Sequence, residues 1–151
     1  MAELGLELPA IRPPAGAYEH AVRSGTMLYL AGHVPIRADG SVIFGRLGED
    51  LDQAAGYDAA RVAAINALAT IRVALGSLDE VARIVRLFGV VNATPSFIAH
   101  TPVIDGASDL LIDVFGDAGR HARLAVGVSS LPFNIALEVE LTLETKCPSG
   151  A

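Results

Sequence analysis

Two segments near the C-terminus, residues 121–128 and 135–144, alternate apolar with small or polar side chains one by one. A period of two is buried economically only as β-strand with one side against a core. In the first segment Leu124, Val126 and Val128 share one side and Arg123, Ala125, Gly127 and Ser129 the other; in the second, Ile135, Leu137, Val139, Leu141 and Leu143 oppose Ala136, Glu138, Glu140 and Thr142. The intervening Ser129, Ser130, Leu131, Pro132, Phe133 and Asn134 predict a hairpin connection. Bringing both apolar sides to one face pairs Leu124 with Leu137, which sets Arg123 opposite Glu138, or opposite Glu140 after a two-residue shift. The expectation is a guanidinium and two carboxylates on a sheet face of small residues, turned away from any covering helix.

Helical periodicity is strongest over residues 51–75, where Tyr57, Ala60, Ala64, Leu68, Ile71 and Leu75 fall on one side of a 3.6-residue helix. Asp50 is placed to cap its start with Gln53 in a capping box, and Gly76 to end it; Gly56 weakens it modestly. A second helix is expected over residues 105–115, capped by Asp105, buried through Leu110, Leu111 and Val114, and stopped by Gly116. Residues 81–91 are rich in β-branched side chains and predict a central strand closed by Pro95. Residues 18–23 and 26–30 predict an opening hairpin divided at Ser24 and Gly25, and residues 41–44 a further short strand after the Asp39-Gly40 turn. Two helices can cover only one side of such a sheet, so the other side is either solvated or closed by another subunit.

A chain of 151 residues suits one domain, read here as an extended lead-in at 1–15, the domain at 16–146 and a tail at 147–151. Apolar residues make up 52% and charged ones only 19%, which predicts that part of the apolar surface meets another subunit. The net charge of −6 and the scattering of eleven basic residues argue against nucleic acid and anionic membrane as partners. Cys147 is the only cysteine, so no internal disulfide forms; with neither an export signal nor a membrane span, a cytoplasmic, reducing compartment is expected, and the Asn92-Ala93-Thr94 glycosylation triplet is discarded.

Motif chemistry is sparse. His20, His33, His100 and His121 have no metal-ligand spacing, so no metal site is expected. Ser129 and Ser130 lack a nucleophile elbow, and no phosphate-cradling glycine loop occurs. By itself, an Arg and a Glu on neighbouring strands are more often a structural cross-strand pair than a catalytic set. Glu140 reads as an interface or solvated residue, and Tyr18 reads equally well as an edge aromatic and as a pocket residue.

The run Gly119-Arg120-His121-Ala122-Arg123, then Ser130-Leu131-Pro132 and Leu137-Glu138-Val139-Glu140, resembles the C-terminal signature of the Rid/YjgF family. The opening is similar too: Ala17-Tyr18-Glu19-His20-Ala21-Val22 and Leu30-Ala31-Gly32-His33-Val34-Pro35 match the family's Tyr-containing strand and its Ser-Gly-Gln-x-Pro segment. The resemblance covers nearly the whole chain. It implies a chorismate mutase-like α+β fold with two helices on one face, a homotrimer with clefts between subunits, and hydrolysis of small reactive 2-imino acids to 2-keto acids and ammonia without a cofactor. By the same resemblance Arg123 holds the substrate carboxylate, Glu138 places the attacking water, Tyr18 and Gly32 line the pocket, and Ala125 offers its backbone carbonyl. Three positions depart from the pattern: Ala125 replaces the usual Cys, Ala31 the usual Ser, and Ser108 or Asp109 falls near the usual Asn; extra residues also precede the second helix at 95–104. These departures favour, as alternative, a non-catalytic carboxylate-binding or regulatory trimer. Ribonuclease activity ranks below both because of the acidic balance.

Overall fold

A computed structural model describes residues 5–147. The tail expected at 147–151 lies outside this range beyond Cys147. In chain order the elements are β1 (Ala21–Ser24), β2 (Met27–Leu30), α1 (Gln53–Leu75), β3 (Val81–Asn92), α2 (His100–Phe115), β4 (Ala122–Val128) and β5 (Leu137–Thr145). The strands form one mixed sheet in the order β1-β2-β5-β3-β4. Both helices lie on one face, and the core between the layers includes Leu68 and Ile71 of α1, Leu110 and Leu111 of α2, and Leu87, Leu137 and Leu141 of the sheet.

The first helix begins two residues later than its pattern suggests. Its N-cap is Asp52, whose side chain accepts from the Ala55 N–H at 2.8 Å, whereas Asp50 accepts from the Arg46 N–H and braces the preceding turn. Gly76 ends the helix at φ 83°, donating to the Arg72 carbonyl. The expected stripe is buried at Ala60, Ala64, Leu68 and Ile71 but only partly at Leu75 and at Tyr57, which reaches Asp109 of α2 at 2.9 Å. Ala59, Ala63 and Ala67 are buried as well, because α1 touches α2 on one flank and the sheet on the other.

The second helix begins at His100, five residues before Asp105, with Ala99 as a cap residue that makes no side-chain bond. Pro102 sits in its first turn, where the missing N–H has no intrahelical partner to lose. Asp105 is therefore an interior helical residue and not a cap. The short strand expected at 41–44 is reduced to single bridges, Ile36 to Val42 and Phe44 to Ile135.

The largest correction concerns the C-terminal strands, which are not a hairpin pair. β3 lies between them, antiparallel to β5 and parallel to β4, and α2 makes the β3-to-β4 crossover that parallel strands require. Leu87 pairs with Arg123 on one side and Leu141 on the other, while Val90 pairs with Val126 and Glu138. Residues in one row share a face, so Arg123, Ala125 and Gly127 face the helices and Leu124 and Val126 the bare side. The assignment of β5 holds, with Leu137, Val139, Leu141 and Leu143 buried, but that of β4 is inverted.

The inversion has a steric cause. A side chain at Gly127 would collide with the His100 ring, and one at Gly89 with Ile104, so the strands under α2 must carry small residues there. Likewise Gly106 of α2 rides directly on the Tyr57 carbonyl of α1. Gly106→Ala should destabilise the protein by roughly 1–3 kcal/mol or more through overpacking, read as a lower urea midpoint with an unchanged slope. A midpoint equal to wild type would mean that the helices are not held this closely.

Candidate functional site

The expected site residues occupy three places. Tyr18 precedes β1 and is 46% exposed; its hydroxyl accepts from the Ala15 N–H at 3.3 Å and its ring stands edge-on to His20. Gly32 follows β2 and lies beside Glu138, since a side chain at 32 would meet the Glu138 Oε2 at 3.3 Å. Arg123 and Ala125 lie on the outer strand β4 under α2. Gly32 and Glu138 are thus brought together, and Arg123 is not brought to them. With β3 intervening and three residues of offset, strand spacing puts the Cα atoms of Arg123 and Glu138 about 14 Å apart, with side chains on opposite faces. A small ligand cannot span that gap within one protomer.

Gly32 owes its place to polar anchors behind it. The backbone of His33 exchanges two hydrogen bonds with Val139, at 2.8 and 3.0 Å, which extends the β2 edge along β5. Its imidazole turns inward, Nδ1 donating to the Ala31 carbonyl and Nε2 accepting from the Thr70 hydroxyl, both at 2.8 Å. From α1, Asn66 donates to the Val34 and Ile36 carbonyls at 2.9 Å each. Glu138 is half-buried, and desolvation alone raises its carboxyl pKa above the ordinary value. Such a carboxyl holds and releases a proton nearer neutrality than a surface glutamate does.

At the other place, Arg123 Nη1 donates to Asp105 Oδ1 at 2.6 Å and to Ser108 Oγ at 3.0 Å. Ser108 in turn donates to His121 Nε2 at 3.0 Å, and His121 Nδ1 donates to the Gly119 carbonyl at 2.6 Å. Burial lowers the His121 pKa, the Gly119 bond opposes it and the Arg123 charge adds to it, a direction that favours the neutral ring able to accept the serine proton. Both protein partners use one guanidinium nitrogen. Nε and Nη2 have no hydrogen-bond partner among the described residues, and neither is sealed from solvent. That edge matches a carboxylate through two parallel N–H···O bonds. A hollow of about 390 Å³ opens at the start of β3 and β4, where Arg83, Ile84 and Val85 face Arg120, His121 and Ala122; Arg123 does not line it.

Asp105 and His121 escaped the sequence reading. A helix starting at 105 makes Asp105 a cap; in the longer helix from His100 its spacing of three from Ser108 puts both on one face, the signal that identifies Asp105. Among the described residues no group of three or more His, Cys, Asp or Glu is placed to hold a metal, and no helix is long and apolar enough to cross a membrane.

A mixed five-strand sheet with two helices on one face defines an α+β protein of the chorismate mutase-like class. The chain belongs to the YjgF family: the family model described as "YjgF/chorismate_mutase-like, putative endoribonuclease" matches residues 1–144. It is 44% identical over 142 residues to Protein TCP17 of Trypanosoma cruzi, across 93% of this chain and 89% of that one. The Agrobacterium tumefaciens protein Atu1372, of unknown function, superposes with a TM-score of 0.88 at 38% identity over 97% of this chain and 89% of its own. A "putative endoribonuclease" from Shewanella oneidensis superposes at 0.91 with 39% identity, over 95% of each chain.

The anchor behind Gly32 makes stability depend on pH. Burial, the largest cause, lowers the His33 pKa from 6.5 to about 4; the Ala31 bond opposes it and His20 adds to it. The unfolded chain therefore binds a proton that the folded one refuses, so this contribution is complete above pH 6.5 and declines as pH falls toward about 4. The loss across that window should be on the order of 3 kcal/mol. Denaturation midpoints at pH 7.5, 5.5 and 4.5 should fall in that order, with a smaller fall in His33→Gln; equal slopes in both proteins would clear His33 of the effect.

Proposed function

We propose that the protein is an imine deaminase-type hydrolase that works as a homotrimer, taking small 2-imino acids to 2-keto acids and ammonia. The observation that carries the reading is the half-used guanidinium of Arg123: one nitrogen is tied to Asp105 and Ser108, and the edge that fits a carboxylate is bare. A carboxylate gripped there leaves its neighbouring C=N carbon to be attacked by water. Water adds to that carbon, the nitrogen gains a proton, and the resulting carbinolamine expels ammonia as its hydroxyl becomes the keto oxygen. Glu138 is suited to accept the proton from water and return it to nitrogen, because desolvation has brought its pKa upward.

The separation of the two halves supports a trimer. Arg123 and Glu138 face opposite ways in one chain, so a complete site takes Arg123 from one protomer and Glu138 with Gly32 from the next. The bare sheet face invites such closure, since it carries exposed Val22, Tyr29 and Leu124 with half-buried Phe88 beside them. The endoribonuclease named for the family and for a relative ranks below both this reading and that of a carboxylate-binding trimer, because a net charge of −6 provides little attraction for phosphate.

When an amino-acid oxidase generates the imine in situ, the protein should accelerate keto-acid formation. Arg123→Ala should reduce kcat/KM at least a hundredfold while melting normally. Glu138→Gln should lose turnover but keep keto-acid binding. In the wild type the acid limb of the rate should lie above the ordinary carboxylate range, since the base must be ionised and its pKa is raised. Thermal stabilisation by keto acids without turnover would instead mark a carboxylate-binding protein, and salt-sensitive RNA cleavage would restore the nuclease reading.

A further inference from the structure

Asp105 and Ser108 stand one turn apart on α2 and converge on the same nitrogen of Arg123. Arg123 has a flexible side chain on an outer strand, and outer strands have no neighbour on one flank to limit rotamers. What limits it here is that convergence. The Asp105 bond is short and joins opposite charges, with the Arg123 side chain 20% and the Asp105 side chain 44% exposed. Ser108 is itself oriented by His121, whose ring is fixed by the Gly119 carbonyl, so the chain of bonds ends on backbone.

We infer that Asp105 is a positioning residue, acting through Arg123: it pins Nη1 so that Nε and Nη2 are presented together, side-on, to a ligand monocarboxylate. The inference rests on the reading of Arg123 as the carboxylate clamp. Holding a planar guanidinium at one corner leaves two parallel donors on the opposite edge, the arrangement a carboxylate meets with both oxygens. Without Asp105 the fork turns about its long side chain, and the ordering cost is met only when ligand binds. A loss of affinity follows, with little change in the chemical step.

The test is a double-mutant cycle on the full-length protein, using 2-oxobutanoate binding by calorimetry together with KM and kcat for the imine generated in situ. Asp105→Ala should raise Kd and KM about tenfold and leave kcat within about threefold. Asp105→Asn, which keeps a neutral acceptor, should recover most of that loss. Arg123→Lys removes the fork, and adding Asp105→Ala to it should change Kd by less than about twofold. An equal effect of Asp105→Ala in both backgrounds, or none in the wild-type background, overturns the inference. Should Asp105→Ala fail to fold, Asp105→Leu, which also removes the acceptor, takes its place in the cycle, and a change of the same size with and without the fork is again fatal. If Arg123→Lys and Arg123→Ala bind 2-oxobutanoate as the wild type does, the clamp reading itself fails, a result distinct from failure of the cycle.

Discussion

The bonds that hold the Arg123 guanidinium depend on how closely α2 can lie on the sheet. Gly127 and Gly89 remove side chains beneath the helix, and Gly106 removes one between the helices, so that His100, Ile104 and the Tyr57 carbonyl fill the space. Only at that separation do Asp105 and Ser108 reach a guanidinium on β4 at 2.6 and 3.0 Å. Small residues in β4 are thus a packing requirement first. The polar network above them is a consequence of it.

The two faces of the sheet do different work. The covered face buries leucines against alanine-rich α1 and carries Arg123 at its rim, where one flank remains open. The bare face carries apolar side chains together with Glu138 and Glu140, a mixture that suits contact with another protomer better than contact with water. Glu138 is desolvated without a compensating partner, an arrangement costly for stability alone and useful for proton transfer. His33 binds the two faces together: its backbone joins the edge of β5 while its ring reaches Thr70 of α1.

Much of this was legible in the amino-acid order. The α1 stripe, the Gly76 stop, the apolar side of β5 and the interior strand β3 were all readable, because each is a periodicity or a terminal signal lying within a few residues of itself. Arg123 and Glu138 stood out by alternation and Gly32 by the family resemblance; the structure brings Gly32 to Glu138 and leaves Arg123 apart from both. The pairing of β4 was not legible, since alternation says that a strand has two sides but not which side is covered or which strand lies next to it. Asp105 lies inside the helix and not at its start, because α2 begins five residues earlier, at His100, with no side-chain cap to mark it.

The sequence by itself determined the two helices and the longer strands, since these follow from local periodicity and terminal signals. The tertiary structure alone decided that β3 separates the two C-terminal strands, that Arg123 turns toward α2 while Glu138 turns away, and that Asp105 holds the guanidinium by one corner. The physical reason is that which strand becomes a neighbour, and which of its faces is covered, depends on where α2 can pack closely, a property of residues far apart in the chain.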